Sequence, residues 1–450
     1  MTRQALFTQA GVTATRTIGE LLDTAALLHA QPLPHGTKVA VVSNAGGAGV
    51  LAADACMDAG LAVPRLATDL VDELVALLPD GATARNPVDV TAAVGEEQLR
   101  SCVGLLARHG AVDAVLVSVV PTAVATATGE DLVRALTSAP GPLARPVVAV
   151  LPAQAARVEL LPTAGGGTLP AYSDAEDAAR ALAHAAARAD WLTRLPGTVT
   201  ELRDVDPGRA KSLTVAFLDG NPEEGWLDPQ TTAALLACYG IPQIPWAWAR
   251  DEDEAVAAAE RLAGPDGRVV MKAYWPGLLH KSEQHALHLD LQNASRVRAA
   301  HRDLVTRFGD RMTGVVVQPL AEHGTELFAG VVQDGVFGPL VVFGLGGTAT
   351  ELLADHAARL APLTDVDVHA LLTSPRCSPL LFGYAGSPAA DLGALEQLLH
   401  RLSRMASDLP ELAEADLNPV LAGPRGVTTL DVRVRLVPRH PHDPYLRRLR

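Results

Sequence analysis

The 450-residue sequence predicts an α/β chain in two unlike halves: a parallel-sheet domain followed by an α+β domain. Three observations carry this prediction. In the first half the apolar runs Lys38-Val-Ala-Val-Val-Ser43, Asp113-Ala-Val-Leu-Val-Ser-Val-Val120 and Pro146-Val-Val-Ala-Val-Leu151 alternate with helical stretches, the order of strands joined by helical crossovers. From Trp226 onward, runs at 269–272, 314–318, 327–333 and 340–344 alternate with helices and with hairpin turns, which suits an α+β arrangement. Between the halves, residues 196–225 carry Pro196-Gly, Asp206-Pro-Gly and Gly220-Asn-Pro, the composition of a linker around one short helix.

Taken in order, residues 1–30 read as a helical lead-in, with Leu21, Leu22, Leu27 and Leu28 supplying its apolar positions. Pro32, Pro34 and Gly36 stop it, and a flavodoxin-like domain follows over 31–195. Within that domain a strand over 38–43 leads into a loop at 44–49 and a helix over 50–59. Helices over 92–108 and 130–138 flank the next strands, and an alanine-rich helix over 175–192 closes the domain. The second domain spans 226–450 and opens with a helix over 229–239 that ends at Gly240, then a helix over 251–263.

Composition narrows the function classes. Hydrophobic residues make up 48% and charged residues 20%, enough for sizeable cores and incompatible with a disordered chain. The net charge of −14 argues against nucleic-acid binding. Cys56, Cys102, Cys238 and Cys377 are far apart, without a CxxC pair or a zinc spacing, and read as reduced thiols. No run of about 18 apolar residues is present to span a membrane, and the N-terminus lacks an apolar signal stretch, so the expectation is a cytoplasmic protein.

Four stretches carry candidate chemistry. Asn44-Ala-Gly-Gly-Ala-Gly49 lies between a strand and a helix, where Gly46, Gly47 and Gly49 let backbone N–H groups approach an anion; a tight turn packed on the sheet is the alternative. Lysine occurs only at 38, 211, 272 and 281, all other basic residues being arginine, and two of these four lie nine residues apart. Lys272 at a strand end could reach phosphate oxygens, and His280 beside Lys281 could act as a base or accept a phosphoryl group; a snorkelling lysine and a polar-loop histidine are the alternatives. Phe343-Gly-Leu-Gly-Gly-Thr-Ala-Thr-Glu351 follows a strand and would suit a nucleotide or a plain turn. Finally, Asp416-Leu-Asn-Pro419 and Asp431 flank the turn Gly423-Pro-Arg-Gly426. That hairpin would set the Asn418 amide oxygen opposite the Asp431 carboxylate, hard donors of the kind that hold Mg²⁺ together with phosphates, or else simply a hairpin start and a solvated charge.

Together these segments resemble the ADP-forming acyl-CoA synthetases (acetate–CoA ligases), relatives of succinyl-CoA synthetase. Residues 39–54, Asn86-Pro-Val-Asp89 and the helix after Asp174 resemble that family's ligase domain. Tyr239-Gly-Ile-Pro242, Leu279-His-Lys-Ser282, Val317-Gln-Pro319, Gly324-Thr-Glu326, Phe343-Gly-Leu-Gly-Gly347, Arg359-Leu-Ala-Pro-Leu363 and Asp416-Leu-Asn-Pro419 resemble its ATP-grasp domain. The resemblance implies a nucleotide site for ATP or ADP built from Lys272, Lys281, Gln318, Glu326, Gly346, Gly347 and Arg359. It implies Mg²⁺ at Asn418, Asp431 and Asp416, phosphate relay by His280, and a phosphate-facing turn at Asn44, Gly46, Gly47 and Gly49. After His280 the family pattern has Lys-Ser-Asp and paired glycines, where this chain reads Glu283-Gln-His-Ala-Leu287. Nothing in the sequence resembles the family's CoA-binding domain or its Ser-His-Thr-Gly loop, so a partner domain or subunit carrying both is expected. The implied reaction is acyl-CoA + ADP + phosphate ⇌ carboxylic acid + CoA + ATP. A non-catalytic nucleotide-binding module and a different ATP-grasp carboxylate ligase are the alternatives, and self-association into a homo-oligomer stays open.

Overall fold

The computed structural model describes residues 2–121, 127–138, 144–152, 154–264, 266–278, 284–347 and 350–438. The chain divides into two compact units, one of residues 10–195 and one of residues 2–9 together with 196 onward. The segments expected as a lead-in and a linker are thus shared out: α1 (Thr2–Ala10) counts almost entirely with the second unit, α2 (Ile18–Ala30) with the first, and 196–225 with the second.

The first unit is a doubly wound sheet. Its elements are β1 (Val39–Ser43), α3 (Gly46–Asp58), α4 (Thr68–Leu77), β2 (Val88–Asp89), α5 (Glu96–Arg108), β3 (Ala114–Ser118), α6 (Gly129–Thr137), β4 (Val147–Val150), β5 (Val158–Pro162), β6 (Thr168–Tyr172) and α7 (Ala175–Thr193). The strand order is β2-β1-β3-β4-β6-β5, parallel throughout except for the edge strand β5. Side chains alternate along each strand, so Val39, Val41, Leu116 and Val148 pack under α2, α3 and α7. Ala40, Val42, Val115 and Val117 pack under α4, α5 and α6. Burial on both faces is why these strands read as unbroken apolar runs.

Three details depart from the sequence reading. The β5–β6 hairpin was not anticipated, because β5 is an exposed edge strand with no continuous apolar pattern. The helix expected from residue 92 begins at Glu96, since Thr91 takes a left-handed φ of 61° and Gly95 serves as N-cap. In α2, Leu27 is buried but Leu21, Leu22 and Leu28 are exposed. A polar anchor turns the helix this way: the buried Asp23 carboxylate accepts from Arg157 Nε at 2.7 Å, and its backbone carbonyl accepts from the Tyr172 hydroxyl at 2.9 Å. Arg157 also pairs with Asp177 on α7, tying α2 to the sheet edge and the closing helix at once.

The second unit holds two antiparallel sheets. Its elements are α8 (Pro207–Gly220), β7 (Gly225–Trp226), α9 (Pro229–Cys238), β8 (Ala247–Ala249), α10 (Glu252–Leu262), β9 (Val269–Tyr274), β10 (Leu287–Leu291), α11 (Ala294–Phe308), β11 (Gly314–Pro319), β12 (Thr325–Asp334), β13 (Gly338–Leu345), α12 (Thr350–Leu353), β14 (His356–Leu360), α13 (Asp365–Thr373), α14 (Leu392–Asp408), β15 (Leu412–Gly423), β16 (Gly426–Thr429) and β17 (Val432–Leu436). The smaller sheet runs β10-β9-β11-β8 and packs on α10 and α11. The larger runs β14-β13-β12-β15-β17-β7, with β16 also paired to β15, and one face buries α8, α9, α13 and α14. On its other face Ala5 of α1 covers Leu340, Val342 and Ala358. Asp228, Asp251, Asn293, Thr364 and Asp391 each cap a helix with a side-chain oxygen, which sets the starts of α9, α10, α11, α13 and α14. No helix among the described residues is long and apolar enough to cross a membrane.

Burial gives the second unit a pH dependence. His400 on α14 is buried, with Nε2 3.2 Å from Thr200 Oγ1. Burial pushes its pKa below the ordinary 6.5, while the negative charges of Glu396 and Asp365 act against the shift. The folded state therefore binds a proton less readily than the unfolded chain. This contribution is complete above pH 6.5 and is lost as pH falls through the lowered folded value. The urea midpoint should be lower at pH 5.5 than at 7.5, and His400→Gln should narrow that gap; an equal gap in the variant would assign the dependence elsewhere.

Candidate functional site

The site is built on a hairpin. β15 pairs with β16 and β17 in one continuous register, Val420 opposite Thr429, Leu417 opposite Val432 and Asp416 opposite Arg433. Asn418 and Asp431 therefore face one another, and Asn418 N–H donates to the Asp431 carbonyl at 3.1 Å. Ala415 and Leu417 enter the core, so Asp416 and Asn418 project from the opposite face of the strand. Asp416 Oδ2 lies 3.4 Å from Arg433 Nη2 on the neighbouring strand.

The smaller sheet supplies the next two groups. Met271, Ala273, Val315 and Val317 fill its core, which leaves Lys272 of β9 and Gln318 of β11 on the other face. Both are about nine-tenths buried. Lys272 Nζ donates to the Leu430 carbonyl at 2.7 Å, and Gln318 Nε2 donates to the same oxygen at 3.2 Å. One carbonyl, one residue before Asp431, thus joins two polar side chains of the small sheet to the hairpin of the large one. Lys272, Gln318, Asp431 and Arg433 share a cavity with the aromatic faces of Trp226, Trp246 and Tyr274. Burial, with the nearby Asp228 charge, pushes the Tyr274 phenol above its ordinary pKa, so it stays protonated. Cations, an amide and aromatic side chains in one cavity match the chemistry of a flat heterocycle bearing phosphates, while its volume of about 90 Å³ means that such a ligand would have to open it further.

The glycine-rich stretch closes on this hairpin. Gly346 N–H donates to the Glu326 carbonyl at 3.0 Å, and Gly347 N–H donates to Asn418 Oδ1 at 3.0 Å. Gly347 has φ +73°, and the Glu326 carboxylate lies directly over it. A Cβ on Gly346 would stand 2.3 Å from the Leu327 carbonyl, a backbone group that cannot step aside. Glu326, Gly346, Gly347 and Asn418 therefore converge, next to Asp431. Arg359 pairs with Val341, whose side chain points to the core helices, so strand parity sets the start of its side chain on the face opposite Asp416 and Asn418. His280 and Lys281 lie outside the described residues.

In the first unit the expected glycine loop is mostly helix. α3 starts at Gly46, so Gly46, Gly47 and Gly49 form its first turn, and Ala45 at the N-cap offers no side-chain oxygen to their amides. Gly49 allows close packing, since a Cβ there would stand 3.3 Å from the Ser43 side chain. Asn44 is buried and spends both ends of its amide on the Val120 backbone, at 2.8 Å each, locking the ends of β1 and β3. The Asp89 carboxylate stands beside Gly46.

Among the described residues no group of three or more His, Cys, Asp or Glu side chains is arranged to hold a metal ion. The hairpin offers one amide oxygen and one carboxylate, with Asp416 two residues before Asn418. Mg²⁺ keeps several waters and takes phosphate oxygens, so this short donor set fits an ion carried largely by a nucleotide. The aromatic residues and Arg433 escaped the sequence reading. The available signal was spacing: Tyr274 is two residues beyond Lys272 on the same strand face, and Arg433 two beyond Asp431.

Comparison with known proteins places these features. Residues 221–436 match the family model of the ATP-grasp domain, and residues 39–161 that of the Ligase-CoA domain. The chain is 29% identical over 439 residues to 4-hydroxybutyrate–CoA ligase (ADP-forming) of Nitrosopumilus maritimus, covering 96% of this chain and 62% of that protein. It is 31% identical over 207 residues to the beta subunit of acetate–CoA ligase (ADP-forming) I of Pyrococcus furiosus, covering 45% of this chain and 88% of that subunit. Among solved structures, the dinucleotide-forming acetyl-coenzyme A synthetase 1 of Ca. Korarchaeum cryptofilum, in complex with coenzyme A and Mg-AMPPCP, is 31% identical. That match covers 50% of this chain and 99% of that one, with a TM-score of 0.44. The chain thus spans about 62% of the length of the first of these relatives.

The glycine geometry makes a direct prediction. Gly346→Ala should destabilise the second unit by roughly 1–3 kcal/mol, because backbone blocks the new methyl group. Gly335→Ala, with open space around it, should change stability by less than about 0.5 kcal/mol. Denaturant unfolding of the two variants side by side would show whether the turn is as tightly seated as described.

Proposed function

Because this chain belongs to the ADP-forming acyl-CoA ligase family, we propose that its second unit binds Mg·ATP or Mg·ADP and that the chain supplies the ATP-grasp and ligase part of acyl-CoA + ADP + phosphate ⇌ carboxylic acid + CoA + ATP. The observation that carries this reading is the Leu430 carbonyl, which gathers Lys272 and Gln318 one residue from Asp431, with Asn418 directly opposite. ATP-grasp domains bind a Mg-nucleotide, and each residue has a role that follows from its chemistry.

Lys272 is a point charge on a buried strand, suited to non-bridging phosphate oxygens. Gln318 presents an amide that can both donate and accept at the edge of a base. Trp226, Trp246 and Tyr274 offer faces on which that base can lie. The Asn418 amide oxygen and the Asp431 carboxylate would hold Mg²⁺, which when bound neutralises the charge building on the transferred phosphoryl group. The amides of Gly346 and Gly347 belong to a turn already held on Glu326 and Asn418, so the site keeps its shape before a ligand arrives. His280 takes a relay role between the nucleotide and a partner's phosphohistidine, accepting the phosphoryl group on a neutral ring nitrogen as the bond to the nucleotide breaks.

Turnover to acyl-CoA needs a CoA site and a phosphohistidine able to visit the acyl group. This chain spans 62% of the length of the 4-hydroxybutyrate–CoA ligase and aligns with the beta subunit of the Pyrococcus furiosus acetate–CoA ligase. We therefore assign the CoA-binding and phosphohistidine parts to a partner domain or subunit, with a carboxylate and its CoA thioester as the substrate pair.

Calorimetric titration of the purified chain should show saturable binding of Mg·ADP. Lys272→Ala and Asp431→Ala should each weaken it at least tenfold, about 1.4 kcal/mol or more. No binding to the folded chain would remove the nucleotide assignment. A coupled assay with acetate, longer acids, ATP and CoA should give no acyl-CoA from this chain alone. Robust turnover that depends on Lys272 would show that no partner is needed. With γ-labelled ATP, an acid-labile phosphoprotein should form and be lost in His280→Asn; label that persists would move the carrier role to another residue.

A further inference from the structure

The first unit holds a second cavity that the nucleotide reading does not use. It encloses about 450 Å³, within the range of small-molecule sites. Val147 and Thr168 on its wall are the first residues of β4 and β6, whereas the turn at Asn44 follows the last residue of β1. The cavity and that turn therefore lie at opposite ends of the parallel sheet. At ~3.3 Å per residue, strands of this length separate them by about 15 Å. A molecule seated here cannot touch groups that react at the carboxyl ends of the strands, where such sheets usually bind their ligands.

The cavity is two-sided in chemistry. Val103, Leu136, Val147 and Leu169 give it an apolar floor. Above them Arg108 is exposed and makes no ion pair among the described residues. Its guanidinium lies back against Gly104, with Nη1 3.1 Å from where a Cβ would stand. A glycine inside a helix costs about 1 kcal/mol relative to alanine, and here it leaves Arg108 room to lie along the cavity wall. Arg100 also lines the cavity, but it spends both Nη groups on Glu96 and Glu97 and its Nε is buried, which leaves Arg108 as the guanidinium open to a ligand. Thr163 Oγ1 accepts from Gly167 N–H at 3.1 Å, which leaves its own proton to donate. Gly165, Gly166 and Gly167 keep the mouth free of side chains.

We propose that this cavity binds a small organic anion, with its oxyanion head against Arg108 and the Thr163 hydroxyl, and its apolar body on the floor. In a chain of net charge −14, an anion is held only where cations have been placed to receive it. A carboxylate and a phosphate monoester share this chemistry, and binding at this end of the sheet would act on the unit's stability or partner contacts, not on the reacting atoms.

The full chain would be titrated calorimetrically with hexanoate, with hexyl phosphate and with hexanol. At least one anion should bind saturably and hexanol should not; which anion binds identifies the head group. Arg108→Glu, a surface change that leaves the core intact, should weaken that binding at least tenfold. Leu136→Trp, which fills the floor, should do the same, and Lys272→Ala should leave it unchanged. Three outcomes would overturn the proposal: neither anion binds saturably, hexanol binds as well as the anions, or Arg108→Glu binds the anion as tightly as the parent chain.

Discussion

One uninterrupted strand register organises the second unit. β15 and the returning β16–β17 segment pair from Gly423 and Gly426 at the turn to Ala415 and Val434 in the core. Because the period of a strand is two, this register decides together that Leu417 is buried, that Asn418 meets Asp431, and that Asp416 meets Arg433. A slip of one residue would turn the polar set into the core and the leucine into the cavity. Burial of Ala415, Leu417, Val420 and Val434 is what forbids that slip, so the packing of α13 and α14 on one face maintains the site on the other.

The second constraint is the Leu430 carbonyl. Two buried donors from the small sheet end on this one acceptor, which satisfies groups that would otherwise cost about 1–3 kcal/mol each to leave unpaired in the interior. The carbonyl has two lone pairs and so can take both. It follows that the small sheet and the hairpin are positioned by the same groups assigned to hold phosphate and base. On the proposed assignment, a nucleotide entering this cavity would compete for Lys272 and Gln318 with a backbone oxygen, which would couple binding to the joint between the two sheets.

Much of this was legible from the residues. Three apolar runs announced the parallel sheet, because strands buried on both faces need no alternation. The scarcity of lysine singled out Lys272, and the separation of thirteen positions from Asn418 to Asp431, with Gly423-Pro-Arg-Gly426 between them, already implied the facing pair. What was not legible depends on parity or on long-range neighbours. Whether Arg359 faces the core or the site is set by its pairing with Val341, which no local pattern reveals. Trp226, Trp246 and Tyr274 come from separate strands and connections and meet only in three dimensions. The leucines of α2 did not reveal which side turns inward, because Asp23 is held there by Arg157 and Tyr172, partners remote in sequence.

The central claim is that the register makes Asn418 and Asp431 a single cation-holding pair. Mn²⁺ binding in the presence of ADP, followed by electron paramagnetic resonance across Asn418→Ala, Asp431→Ala and the double variant, tests it most directly. If the two side chains share one ion, the losses are strongly non-additive, with the double variant little worse than the more damaging single one. Losses that simply add, or a Mn²⁺ affinity that neither variant changes, would contradict the account.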